Sequence, residues 1–187
     1  MRPLRLEMTA FGPFAETQVV DFRELGGAQL FLICGETGAG KSAILDGLCA
    51  ALYGESSGGE RSVAQLRSDH ADPRVLTALR LDFRVGEHAY RIERTPAQRR
   101  AKFKGEAAED GEVLAGHVDQ AASATLWRLA SDAPEALVAE VLAERKVREV
   151  DARVLGLVKL EVAQFRRVVV LPQGDFRLLL SADSAAR

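Results

Sequence analysis

Asparagine does not occur in this chain of 187 residues. The Asn-Lys-x-Asp motif with which guanine-specific GTPases read their base is therefore out of reach. Cysteine is nearly as scarce: Cys34 and Cys49 are the two present, and both lie in apolar segments. That usage predicts reduced, buried thiols and excludes a disulfide framework. No apolar run reaches the roughly 18 residues of a membrane-spanning helix. The opening Met1-Arg2-Pro3-Leu4-Arg5 has no apolar stretch of a signal peptide. Charge of one sign is missing as well: 25 basic against 27 acidic side chains leave a net charge of −2. With no global basic field, any nucleic-acid contact has to come from a local patch. His70, His88 and His117 are scattered, with no metal-ligand spacing to either cysteine. What these absences leave is a globular domain of ordinary size, expected in the cytoplasm.

Buried strands and amphipathic helices fill the chain. Leu4 to Met8 alternates and predicts a strand, with a hairpin partner at Thr17 to Phe22 after the Gly12-Pro13 turn. Gln29 to Cys34 is a short continuous apolar run, the pattern of a strand covered on both faces. A helix from about Lys41 to Tyr53 places Ile44, Leu45, Leu48, Cys49 and Leu52 on one face, with Gly54 as its stop. Leu76 to Val85 and Ala89 to Arg94 read as strands joined at Gly86-Glu87. Residues 95–123 lose periodicity and read as a mobile excursion, in which a basic run (Arg99, Arg100, Lys102, Lys104) precedes an acidic one. Such charges read first as solvated surface. Thr125 to Ala130 is a further strand. Asp132 and Glu135 form a capping-box pattern around Pro134, predicting a helical segment over 134–167, broken near Leu157. Val168 to Leu171 is another buried-strand run, followed by Pro172-Gln173-Gly174-Asp175-Phe176 and the start of a helix over 174–187. The mixture predicts an α/β fold of α+β mixed layers.

Gly35-Glu36-Thr37-Gly38-Ala39-Gly40-Lys41-Ser42 matches the Walker A pattern in full. Its glycines let successive N–H groups turn toward phosphate oxygens. Lys41 reaches the β- and γ-phosphates, the Ser42 hydroxyl serves Mg²⁺, and the new helix, through Ala43, offers its positive end. The loop follows a buried strand and opens a helix, the setting that phosphate chemistry needs. ATP with Mg²⁺ is the expected ligand.

Phe11-Gly12-Pro13-Phe14, the phosphate loop with its Ile44-Leu45-Asp46 continuation, Tyr53-Gly54 and Leu171 to Phe176 occur in an order that resembles the SbcC-type heads of bacterial SMC-like repair ATPases. The likeness runs from Met1 to about Leu180 and is least informative over 95–150. It implies the N-terminal lobe of an ABC-type ATPase head over residues 1–187. An antiparallel strand group would stand beside the phosphate-loop strand, with helices before a Q-loop and the start of a coiled coil at the end. It also implies that Gln173 is the Q-loop glutamine on the nucleotide-bound Mg²⁺, and that Leu76, Thr77 and Ala78 approach the base. The implied partners are a C-terminal lobe of the same protein, a second SbcC head, the nuclease SbcD and DNA. Two departures stand out. Many relatives carry asparagine where Thr37 stands, and some carry arginine where Gly12 stands. Thr37 can still bond phosphate, whereas Gly12 receives no ligand role.

Ser56-Ser57-Gly58-Gly59-Glu60 imitates the ABC signature but comes too early, lacks a leading leucine and precedes no run ending in Asp-Glu, so it reads as a flexible turn. With signature and Walker B carboxylates missing, the chain reads as half an active site. Arg61, Arg67, Arg99, Arg100, Lys102 and Lys104 are candidate DNA-backbone contacts. The alternatives are a RecN or SMC head, a self-sufficient small kinase using Asp46 or Asp82 as its carboxylate, and a nucleotide sensor without turnover.

Overall fold

The computed structural model describes residues 1–26, 31–58, 61–101 and 117–168. In β1 (Arg2–Phe11), Leu4, Leu6, Met8 and Ala10 are buried while Pro3, Arg5, Glu7 and Thr9 are half-buried, the two-residue period of a strand with one covered face. Gly12 turns the chain in the left-handed region (φ 56°) into β2 (Phe14–Asp21), which pairs antiparallel with β1. Asp21 then caps a short 3₁₀ turn, accepting from the Arg23 N–H at 3.0 Å. Further along come α1 (Lys41–Tyr53), β3 (Ala78–Val85), β4 (His88–Thr95), β5 (Gln98–Ala101), β6 (His117–Gln120), β7 (Ser123–Leu129), β8 (Val138–Ala143), α2 (Val147–Val158) and α3 (Val162–Val168).

Six of these strands form one antiparallel sheet in the order β2-β1-β3-β4-β7-β8. The mixed α/β character expected from the sequence is therefore present, with helices packed on a mostly antiparallel sheet. Leu6, Leu81, Ile92 and Leu126 stand in register across four strands and are fully buried. Each such leucine or isoleucine contributes about 1.5–3 kcal/mol of transfer free energy. The helix α1 closes over this row. Its approach needs Gly47, because a Cβ there would come within 2.6 Å of Met8 Sδ.

The far end of α1 is held by a side chain from the sheet. Arg94 of β4 donates through Nε to Ala51 O (3.0 Å) and through Nη2 to Leu52 O (3.0 Å) and Asp151 Oδ1 of α2 (2.7 Å). A cation at a helix C-terminus satisfies carbonyls that the helix leaves open and complements its dipole. Tyr53 and Phe165 then meet at 5.4 Å between ring centroids, tying α3 to the same end. On the opposite strand faces, Asp82 and Arg91 are cross-strand partners in register, joined by two parallel bonds of 2.6 and 2.7 Å.

Four sequence expectations are corrected. Phe31 to Cys34 is not a buried strand: Phe31 is 48% and Leu32 84% exposed, and Cys34 is exposed. A two-faced buried strand needs neighbours on both edges, and no described strand pairs with this segment. Gln29 and Leu30 lie outside the described residues. The two ends of the segment 95–123 carry structure, since β5 and β6 pair as an antiparallel two-stranded sheet, whereas residues 102–116 lie outside the described residues. Within 134–167 the capping pattern at Asp132 starts no helix; the chain enters β8, paired with β7, and helix begins only at Val147. Val168 ends α3 rather than opening a strand. Val169 to Leu171, Gln173 and the expected helix over 174–187 lie outside the described residues.

Candidate functional site

Glycine geometry shapes the phosphate loop. Gly38 and Gly40 both hold φ 88°, where other residues are strained. Gly40 is further constrained by packing, for a Cβ on it would stand 2.5 Å from Phe14 Cζ. Pro13 and Phe14, just past the β1–β2 turn, thus form the wall behind the loop. Gly12 serves the same approach: a Cβ there would meet Ala43 Cβ at 3.0 Å. The loop itself closes with Ala39 N–H donating to Glu36 O at 3.2 Å. Gly35 to Ala39, including Glu36 and Thr37, are exposed, as is Ser42 in the first helical turn.

Two sources of positive potential converge here. The first i→i−4 bond of α1 is Ile44 N–H to Gly40 O at 3.3 Å, and the helix has no side-chain cap. The N–H groups of Lys41, Ser42 and Ala43 precede that bond and point out of the helix end, where an anion is favoured. Lys41 reaches back across the loop, its Nζ donating to Gly35 O at 2.8 Å and Glu36 O at 2.7 Å. An ammonium has three donors, so one more is available to a ligand while the loop stays cross-linked. Left-handed glycines, an uncapped helix start and a lysine at the mouth make a fitting cradle for a phosphate chain.

Other candidate residues are placed differently. Thr77 is fully buried, with its hydroxyl donating to Ala10 O at 3.0 Å and its N–H to Gln98 Oε1 at 2.8 Å, while Leu76 and Ala78 are half-buried. Arg67 is a loop organiser, donating to Val75 O (2.7 Å), Asp72 O (3.0 Å) and Thr77 Oγ1 (3.2 Å). Arg99 pairs with Asp119 across the β5–β6 hairpin at 3.1 Å, whereas Lys102 and Lys104 lie outside the described residues. Ser56 and Ser57 are buried rather than flexible. The Ser57 N–H and hydroxyl both donate to Asp46 Oδ1, at 2.8 and 2.6 Å. Asp46 and Asp82 therefore each serve a structural bond, which removes the two carboxylates a self-sufficient kinase would have used. No cluster of metal-ligating side chains occurs among the described residues.

Sequence reading missed Arg94 and Arg166. Arg166 donates from α3 to Ser56 O at 3.0 Å and Glu55 Oε2 at 2.9 Å. Neither arginine stands in a motif, and each finds its acceptors more than forty residues away in the chain, so no local signal marks them.

The two thiols differ sharply. Burial pushes Cys49 up to about 12, while Cys34 is exposed beside Gly35. A maleimide added to the folded chain should give a single adduct at Cys34, with Cys49 reacting only in denaturant. Two adducts by intact-mass spectrometry under native conditions would contradict this packing of α1.

Comparison with known proteins brings in a family. The model of the family described as "AAA domain" matches residues 5–184. The chain is similar to the SbcC component of the nuclease SbcCD from Vibrio cholerae serotype O1, 46% identical over 187 residues, covering 100% of this chain and 17% of that one. It is also similar to proteins of the same name from Lactococcus lactis subsp. lactis (35% over 190 residues, 98% and 16% covered) and Treponema pallidum (34% over 187 residues, 98% and 16%). The chain thus spans about a sixth of the length of these curated relatives.

Proposed function

From a chain that belongs to the AAA domain family, we propose an ATP-binding lobe, the N-terminal half of an ABC-type head in an SbcC protein. The observation that carries this reading is the cradle at Gly35 to Ser42, with left-handed glycines, an uncapped α1 and Lys41 Nζ at its mouth. Gly38, Ala39 and Gly40 would wrap the phosphates with backbone N–H groups, and Lys41 would neutralise the β- and γ-oxygens. Thr37 would add a hydroxyl, Ser42 would hold Mg²⁺, and Gln173 would complete that metal's shell. The bound Mg-ATP supplies a phosphoryl group activated for transfer to water. This chain's residues would bind and orient it; Asp46 on α1 is held by Ser57, and the general base would come from the C-terminal lobe.

Two features support a half-site. Phe31 and Leu32 carry exposed apolar surface directly before the phosphate loop, the kind of surface that a second lobe's strand would cover. Asp46, near the loop on α1, is bound to Ser57. In the whole protein a C-terminal lobe would supply the signature and Walker B residues. A second SbcC head would close over the nucleotide, and the paired nuclease SbcD would process DNA ends under ATP control. The expected setting is the cytoplasm and nucleoid.

Turnover decides the matter. The isolated chain should retain Mg-ATP while hydrolysing no more than its Lys41→Ala variant, and adding the C-terminal lobe in trans should raise the rate. Robust turnover by the chain alone, lost on mutation of Lys41, would mean a complete catalytic centre and sink the half-site reading.

A further inference from the structure

A second concave site lies at the opposite end of α1 from the phosphate loop. There a cavity of about 380 Å³ is bounded by Tyr53, Val63, Leu79, Pro96 and Val147, with Arg94 and Asp151 among its walls. That size falls within the range of sites for small organic ligands. Arg94 is only 5% exposed, yet its hydrogen bonds are made by Nε and Nη2. Nη1 has no partner among the described residues, and it stands beside Gly54, where a Cβ would lie 3.2 Å from it. Gly54 also borders the cavity.

Nη1 is not among the buried nitrogens left without a partner, so its hydrogens are open to water and can donate to a ligand in water's place. Asp151 supplies the matching acceptor. Its Oδ1 takes the Arg94 bond, whereas Oδ2 has no hydrogen bond among the described residues. The wall therefore offers one donor and one acceptor side by side above an apolar floor. We propose that this cavity binds a small molecule carrying a carboxamide on an apolar or aromatic body. The carbonyl would accept from Arg94 Nη1, the amide nitrogen would donate to Asp151 Oδ2, and the body would pack on Leu79, Pro96 and Val147. Charge selects against the alternatives. A carboxylate ligand meets the Asp151 carboxylate at the rim, and an amine finds the Arg94 cation in the way. The site stands apart from the nucleotide reading and holds whether or not the phosphate loop works as proposed.

Benzamide is the probe, observed by saturation-transfer NMR on the full-length protein. A ligand of so few atoms should bind with a Kd of about 1–10 mM. Benzoate and benzylamine should bind at least about 5-fold more weakly. Ala122→Trp places a large side chain at the cavity's edge from an exposed position, so folding is retained and the benzamide signal should disappear. Asp151→Ala should weaken benzamide several-fold but leave benzoate the same or better. Saturating Mg-ATP should not compete. Benzamide binding that survives Ala122→Trp, displacement by Mg-ATP, or equal affinity for all three probes would each overturn the assignment.

Discussion

Replacing Lys41 with alanine is expected to weaken Mg-ATP binding by about 100-fold or more, with the thermal midpoint of the free chain nearly unchanged. Two effects add. The ammonium supplies charge-assisted bonds to phosphate, each worth about 1.5–3 kcal/mol, and tenfold in affinity is about 1.4 kcal/mol. The same group also cross-links the loop through Gly35 O and Glu36 O, so its loss loosens the donors that remain. Stability is spared because Lys41 is only half-buried and packs no core. Methionine at this position keeps the apolar stem and should lose as much affinity as alanine. Isothermal titration separates the two contributions from unfolding. If Lys41→Met bound Mg-ATP like the unaltered chain, the cradle would not be a nucleotide site, whatever its shape.

The second large effect concerns the sheet. Asp82→Ala should destabilise the fold by about 3–5 kcal/mol, because it leaves the Arg91 cation buried and unpaired. Asp82 is 2% and Arg91 9% exposed, and their two bonds run parallel between carboxylate and guanidinium. The pairing raises Arg91 further above its ordinary value through the Asp82 hydrogen bonds. In a domain of this size the thermal midpoint would fall by on the order of 10 °C. Replacing both partners by leucine removes the desolvated charges together and should recover most of that loss. Thermal and urea melts of the single and double variants test the claim through their coupling. Equal losses for Asp82→Ala and for the double variant would show that packing, not charge, holds this site.

Where local chemistry sets the outcome, the sequence sufficed. Lys41 to Tyr53 is helical as its apolar spacing and terminal Gly54 predict, because a helix closes its bonds within its own length. The β3–β4 hairpin is equally legible at Gly86, which turns with φ 58°. The misreadings arise where a segment's partner lies elsewhere. Leu137, Val138, Val141 and Leu142 suit a helical stripe and an edge strand alike, and pairing of β8 with β7 decides between them. Gln98 to Ala101 and His117 to Gln120 are each too short and polar to announce a strand, and they form one by meeting each other.

By itself, then, the sequence determined the shape of the loop: which glycines bend, which lysine reaches across it and which helix begins there. Those properties follow from φ/ψ limits and from donors within eight consecutive residues. Tertiary structure alone decided that Asp82 and Asp46 are spent on internal bonds, that Arg94 closes the C-terminal end of α1, and that Phe31 and Leu32 face outward. The reason is the reach of the interactions: a carboxylate's role depends on which distant donor the sheet carries to it, and no local pattern encodes that distance.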